Sequence, residues 1–340
     1  MCMRIFLFIF SLFFLVGCTG EYNQHIQREH TPIVSSSDLR DSLSGRLLSL
    51  PDFRILEDLI LSIDQAKTRI WIETYTWTEK ETLEAIVRAK KRGVDIRVVL
   101  EGSVYRTPWI NNDAIKKLRA ADITFSYADN HRYTFTHIKT WIIDSEWCVS
   151  TGNWSYTSFM KNREFIYCSR DNSLMRDLEE IIQSDFHHVR PYFPDWLDPH
   201  IWLSPENVRP WLTAHIQNAK KNIIVYNQSI TDNIILKQLQ EKADEWVTIE
   251  LCQAYRDDVY RDAFSGMLLK NIDIKYSKKP YLHAKVFLLD GERVILWSAN
   301  MTQNALDNNR EILIDLGKNK KSYDMIFSFY YKDCHSSSGK

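Results

Sequence analysis

Two histidines, His137 and His283, each head the same pattern of residue types. Counting from each, Lys follows at +2 and Asp at +7, giving His137, Lys139, Asp144 and His283, Lys285, Asp290. Asn follows at +16 and +17 (Asn153, Asn300), and Glu at +27 and +28 (Glu164, Glu311). The one-residue offset arises between Asp and Asn and persists to Glu, as a single deletion would produce. At ordinary residue frequencies His-x-Lys-x4-Asp occurs about once per 10,000 positions, so two copies followed in step by Asn, Arg and Glu need a cause other than chance. Duplication of a structural unit accounts for apolar strands. It does not account for His, Lys, Asn and Glu, which are poor strand residues; shared chemistry does.

On a strand, residues i and i+2 share a face. His137 therefore points with Lys139 and His283 with Lys285, while Ile138 and Ala284 face the opposite layer. Brought together, the two copies make a cleft with two imidazoles, two ammonium groups and two amides, a set that matches a phosphodiester. Lysines neutralise the non-bridging oxygens and Asn donates to them, stabilising the charge of the transition state. One His attacks phosphorus and the other protonates the leaving oxygen. A carboxylate must hold each imidazole in its reactive tautomer, and Glu164 and Glu311 are the candidates. This chemistry needs no metal and no cofactor.

The elements that would position these residues also occur twice. AKTRIWIETY (66–75) matches AKKNIIVYNQ (219–228), GVDIRVVLEG (93–102) matches WVTIELCQAY (246–255), and ADITFSY (121–127) matches NIDIKYS (271–277). Each half reads strand, helix, strand, helix, strand, the order of an α/β fold with a mixed, mainly parallel sheet flanked by helices. The segment Tyr323 to Cys334 matches Leu174 to Phe186 and reads as the closing helix of the second half. Pro191 to Pro210 is Pro-rich and reads as a linker. The expected organisation is a leader (1–17), a tether (18–45), a first half (46–190), a linker (191–210) and a second half (211–335), packed with pseudo-two-fold symmetry.

Over about residues 50 to 335 the chain resembles the phospholipase D superfamily, whose signature is a doubled His-x-Lys-x4-Asp followed by Gly-Ser-x-Asn. The resemblance implies one active site between two α/β halves and a covalent phosphohistidine, resolved by water or another alcohol. It makes His137 and His283 the catalytic pair, with His137 as nucleophile, and gives phosphate binding to Lys139, Lys285, Asn153 and Asn300. Two departures stand out. The second motif reads Trp297-Ser298-Ala299-Asn300, with Trp for the usual Gly. The first reads Ser150-Thr151-Gly152-Asn153, one residue short, with Thr151 the substitute for the family Ser. Ser298 and Thr151 are thus expected at the phosphate, and Asp144 and Asp290 at the loop after each strand.

The first residues, MCMRIFLFIFSLFFLVGC, carry one positive charge and a twelve-residue apolar run from Ile5 to Val16. That run is too short to span a bilayer and suits a secretory signal. Its end, Leu15-Val16-Gly17-Cys18, resembles a bacterial lipoprotein lipobox, with Cys18 as the lipidated N-terminus, and the Ser-rich stretch after it suits a tether. The chain is expected to be exported and held on a membrane surface, and Thr19 is not an Asp retention signal. Cys148, Cys168, Cys252 and Cys334 show neither metal-ligand nor disulfide-framework spacing. Cys148 and Cys168, in apolar runs, read as buried thiols.

Among the aromatics near the first motif, Tyr105, Trp109, Tyr133, Phe135 and Trp154 divide between core packing and a pocket lining. His187-His188 reads as a solvated helix end, and Lys318 to Lys321 as an exposed turn. Lys plus Arg number 43 against 44 Asp plus Glu, a net charge of −1, which argues against a protein built to coat nucleic acid. The leading expectation is a monomeric, membrane-anchored enzyme that hydrolyses or transfers the phosphatidyl group of phospholipids. The alternatives are a nuclease of the same superfamily and a non-catalytic binding lipoprotein.

Overall fold

The structure, a computed structural model, describes residues 42–192, 198–255 and 269–335. The leader, Cys18 and the tether up to residue 41 lie outside the described residues. In the first half β1 (Arg46–Leu50) leads into α1 (Phe53–Gln65), β2 (Arg69–Thr74), α2 (Lys80–Lys91), β3 (Asp95–Leu100), α3 (Asn112–Ala120) and β4 (Phe125–Tyr127). A hairpin follows, β5 (Lys139–Ile143) and β6 (Glu146–Ser150), then the short α4 (Tyr156–Met160), β7 (Asn162–Ser169) and the closing α5 (Asn172–His187). The second half opens with β8 (Ile201–Ser204), α6 (Val208–Asn218), β9 (Asn222–Asn227), α7 (Asn233–Asp244), β10 (Thr248–Ala254) and β11 (Ile272–Ser277). It continues with β12 (Tyr281–Leu282), the hairpin β13 (Lys285–Leu289) and β14 (Arg293–Trp297), α8 (Gln303–Asp307), β15 (Glu311–Asp315) and the closing α9 (Lys320–His335).

The strands form two sheets of matching order, β4-β3-β2-β5-β6-β7-β1 and β11-β10-β9-β13-β14-β15-β8. The α/β class, the two similar halves and the mixed sheets are as expected. The parallel majority is not. Within these two orders β2–β3–β4 and β9–β10–β11 run parallel, the strands from β2 through β5 to β1 and from β9 through β13 to β8 pair antiparallel, and the short β12 adds one parallel pairing to β7. After the strand led by each Lys the chain turns straight back, a connection too short for the crossover that parallel pairing needs. That return carries the deletion: Asp144-Ser145 joins Ile143 to Glu146, whereas Asp290-Gly291-Glu292 joins Leu289 to Arg293. Both Asp residues sit at positive φ (51° and 55°), and Gly291 (79°) carries the extra left-handed step.

Alternation along each strand builds the layers. In β2, Ile70 and Ile72 join α1 and α2 in an outer core, and in β13 Phe287 and Leu289 do the same with α6 and α7. The opposite faces, including Trp71, Ile138, Ile142, Tyr226, Ala284 and Val286, share one central core with α5 and α9. Ile138 and Ala284 thus lie on the layer away from the outer helices.

Three boundaries and pairings differ from expectation. Within the stretch read as a linker, Ile201–Ser204 pairs with β15 and α6 begins at Val208; β8 covers the sheet edge that β1 covers in the first half. The end of the tether is also part of the fold: Leu43 is buried in the central core and its N–H donates to Leu316 O at 3.1 Å. The four cysteines are two disulfides, Cys148–Cys168 and Cys252–Cys334. Cys148 and Cys168 stand directly opposite on β6 and β7, with Cα atoms 4.1 Å apart, a register that spacing alone could not supply. Cys252–Cys334 ties β10 to the end of α9 across 82 residues. Replacing Cys252 and Cys334 by Ser should lower unfolding stability by about 2–5 kcal/mol, and thiol titration of the unreduced, denatured chain should find none of the four free.

Candidate active site

Each motif histidine stands just before the strand its Lys opens, and its main chain is held by the other half. β12 pairs in parallel with β7, Leu282 opposite Arg163, and His283 N–H donates to Arg163 O at 3.1 Å. On the other side Thr136 bridges Arg310, and His137 N–H donates to Arg310 O at 2.8 Å. Arg163 and Arg310 immediately precede Glu164 and Glu311. The crossing of backbones therefore becomes a crossing of side chains. Both oxygens of Glu311 lie 3.0 Å from Nδ1 of His137, and Glu164 Oε1 lies 2.6 Å from Nδ1 of His283. A carboxylate at Nδ1 favours the tautomer protonated there and leaves Nε2 for chemistry.

Thr151 and Ser298 occupy equivalent places behind these carboxylates, not at the phosphate position expected for them. Thr151 Oγ1 donates to Glu164 Oε2 at 2.7 Å and accepts the Phe165 N–H; Ser298 Oγ donates to Glu311 Oε2 at 2.5 Å and accepts the Ile312 N–H. Both hydroxyls are fully buried and fully used. The other departures follow from packing. Trp297 fills the outer core against Phe287, ring centroids 5.6 Å apart. At Gly152 an added Cβ would lie 2.7 Å from the Glu164 carboxyl carbon, so the first motif needs Gly where the second carries Ala299.

Lys139 and Lys285 are fully buried beside their histidines. Lys139 Nζ donates to His137 O at 2.5 Å; Lys285 Nζ lies 3.0 Å from Nδ1 of His283 and donates across to Thr151 O at 3.1 Å. Burial lowers both, Lys285 to about 8. Burial also lowers both histidines, His137 to about 4, with the lysine charges acting the same way and the paired glutamates opposing. Burial works to raise the glutamates, but the paired imidazoles win and Glu164 falls to about 2. The resting site thus holds neutral imidazoles beside ionised carboxylates.

His137, His283, Asn153, Asn300 and Glu311 open onto one cavity of about 380 Å³. The Oδ1 atoms of both Asn residues are buried with no protein partner. One wall is aromatic: Tyr75, Tyr105 and Phe135 pack edge to face, and Tyr75 lies 4.6 Å from the His137 ring. The other is polar, made by Gln228, Thr302, Asn304 and Asn309. Of the aromatics singled out in sequence, Tyr105 and Phe135 line the cavity, Trp154 packs on Trp77 and Trp141, Tyr133 is buried against Arg310, and Trp109 is exposed. Tyr75 and Gln228 were missed; they end the matched strands at equivalent positions, which was the available signal.

Asp144 and Asp290 lie away from the cavity. Asp144 accepts the N–H groups of Lys67, Thr68 and Arg69, and Asp290 those of Lys220, Lys221 and Asn222. Each pins the strand that flanks the motif strand. His188 caps α5 in the left-handed conformation, and Lys318 pairs with Glu292 at 2.9 Å. Among the described residues the one cluster of metal-ligand types is Glu146, Cys148 and Cys168, whose cysteines are bonded to each other.

Two further buried pairs, also missed, support the crossing. Arg163 Nε donates to Asp333 Oδ2 at 2.7 Å, and Arg310 Nε to Asp185 Oδ2 at 2.8 Å, each joining one half's Glu-bearing strand to the other half's closing helix. Gly152→Ala should push Glu164 off His283 and lower turnover about 10–100-fold, whereas Ala299→Gly should leave turnover within a few-fold; steady-state kinetics of the two variants check this.

A family model described as "Cardiolipin synthase, PLD-like domain" matches residues 59–186 and, again, 212–329. A cardiolipin synthase of Geobacillus kaustophilus (strain HTA426) is 24% identical over 301 residues, which covers 75% of this chain. The chain spans 59% of that relative's length. The solved phosphatidylserine synthase of Haemophilus influenzae Rd KW20 shares the fold with a TM-score of 0.69, over 86% of this chain and 88% of that one, at 12% identity. Polyphosphate kinase of Porphyromonas gingivalis does so at 0.68 over 85% and 47%, at 15% identity. With the family model falling once on each half, and each half bringing one motif to the shared cavity, the chain belongs to the phospholipase D-like family.

Proposed function

We propose that the chain is a membrane-anchored phosphodiesterase of the phospholipase D type that hydrolyses or transfers the phosphatidyl group of phospholipids. The observation that carries this reading is the crossed arrangement of His137–Glu311 and His283–Glu164 around one cavity. Nε2 of His137 attacks phosphorus, forming a P–N bond as the head-group P–O bond breaks. His283 gives a proton to the departing oxygen. Water or an alcohol, losing its proton to His283, then attacks phosphorus and releases His137. Lys139, Lys285, Asn153 and Asn300 hold the non-bridging oxygens. Ser298 and Thr151 act through the glutamates they fix.

Two observations favour a lipid over nucleic acid. Among the described residues no Lys or Arg lines the cavity, and its walls are aromatic and amide, where a nucleic-acid groove would present a basic track. The two disulfides support export, because such bonds persist in oxidising compartments. Lipidation at Cys18 would then hold the enzyme at the membrane surface. No helix among the described residues is long and apolar enough to cross a membrane.

The chain lacking its leader, incubated with mixed phospholipids with and without glycerol, should yield phosphatidic acid or a new phosphatidyl-alcohol by mass spectrometry. His137→Ala and His283→Ala should each lower turnover at least 10²-fold without unfolding the protein. Unchanged lipids, with cleavage of single- or double-stranded DNA, would replace this reading by the nuclease. The value of kcat/KM should fall as pH drops through about 4, where His137 gains a proton and loses its nucleophilic lone pair. It should fall again as pH rises through about 8, where Lys285 loses the charge that binds phosphate; a pH–rate profile checks both limbs.

A further inference from the structure

The two halves differ at one buried position behind the histidines. The matched strands place Glu73 of β2 where β9 has Tyr226; Glu73 pairs with Thr140 and Tyr226 with Val286, each three residues beyond its motif histidine. In the second half the Tyr226 hydroxyl donates to Asp333 Oδ2 at 2.5 Å, the oxygen that also receives Arg163. In the first half Asp185 takes the place of Asp333 and Arg310 that of Arg163, and the neutral donor is replaced by a carboxyl group.

That substitution is costly if Glu73 is ionised. Glu73 is fully buried and faces Asp185, with Arg310 beyond it. Glu206 and the phenol of Tyr133 stand on the far side of Arg310: Arg310 Nη1 donates to Glu206 Oε1 at 3.2 Å, as does Tyr133 Oη. One guanidinium would then face three carboxylates, one of them, Glu206, partly in solvent. Both Glu73 oxygens, Asp185 Oδ1 and the Arg310 Nη2 group are buried without a hydrogen-bond partner. Facing carboxylate oxygens cannot satisfy one another, and Arg310 Nη2 bonds none of them; a proton on Glu73 makes it a donor to Asp185.

We propose that Glu73 is a positioning residue that works as a neutral carboxylic acid, its hydroxyl donating to Asp185 as Tyr226 donates to Asp333. The bond keeps Asp185 on Arg310, whose carbonyl holds the N–H of His137. Burial, and next the charge of Asp185, push the Glu73 pKa far above the usual range, with Arg310 opposing. The kinetic part of this inference rests on the proposed function; the protonation does not.

Glu73→Gln keeps the shape and a donor but binds no proton. An unfolded Glu ionises near pH 4.3, whereas folded Glu73 stays protonated, so wild-type stability declines with rising pH above that value. The expected result is a melting-temperature advantage of Glu73→Gln that grows from about pH 5 to about pH 8. Infrared spectra at neutral pH should show the carbonyl stretch of a protonated carboxylic acid in the wild type and its loss in Glu73→Gln. Turnover should fall about tenfold in Glu73→Ala with KM unchanged, and return to within about threefold in Glu73→Gln. A melting difference independent of pH, with no lost infrared band, would mean that Glu73 is ionised and would overturn the proposal. Equal impairment of the two variants would refute the donor role. A chain that turns over no phosphodiester would refute the positioning role along with the proposed function, while the thermal and infrared results still decide the protonation.

Discussion

The molecule depends on an exchange between its halves. The backbone that presents each histidine hydrogen-bonds to the residue just before the glutamate of the opposite half. Because Arg163-Glu164 and Arg310-Glu311 are consecutive, one strand delivers three things at once: a carbonyl to the foreign histidine's main chain, a carboxylate to its Nδ1, and a guanidinium to the foreign closing helix. Neither half can complete a His–Glu pair alone. The fused central core, built from both sheets with α5 and α9, follows from that requirement, since the strands must meet at a fixed register for the side chains to meet at all.

Symmetry of this kind sets a problem for the proposed mechanism, which does not use its histidines equally: one would become covalently bonded while the other would carry a proton. The first layer of the site gives little to distinguish them, with matched lysines, amides and hydroxyl-braced glutamates. The differences lie around it. Tyr75 packs on His137 where Gln228 holds the equivalent place, and Glu73 supports Arg310 where Tyr226 supports the other clamp. The cavity lies between the aromatic wall of the first half and α8 of the second. A duplicated framework can thus acquire two roles by changing what surrounds the reacting groups, without touching the groups themselves.

What the sequence made legible was whatever repeats. The motif residues, the three matched strands and the closing helix recur in the same order, and the change in spacing between Asp and Asn located a deletion that the structure places in the hairpin turn after Asp144. What stayed hidden depends on pairing across long separations. Cys148 and Cys168 look like two hydrophobic-run thiols until β6 and β7 set them opposite each other. Which glutamate serves which histidine, 174 residues away in one case, was open for the same reason. Thr151 was misplaced more subtly. Its position in the motif was right, but a hydroxyl one residue before a glycine points inward here, towards Glu164, and only Asn153 beyond it reaches the cavity.

The charges at the site explain why substrate is needed to finish it. Two ionised glutamates stand beside neutral imidazoles and two lysines, all buried, and burial draws both lysines down from their ordinary value, Lys285 to about 8. Such a set is tolerable without water, but it lacks the proton that a leaving alcohol requires. Under the proposed function, a phosphodiester would bring one negative charge between Lys139 and Lys285. It would screen the lysines from His283, one of the influences that hold that imidazole neutral, so binding the anion would favour uptake of a proton there. In the proposed mechanism the acid is thereby assembled only when there is an ester to cleave, by a proton that arrives with the substrate and is not held in the empty site.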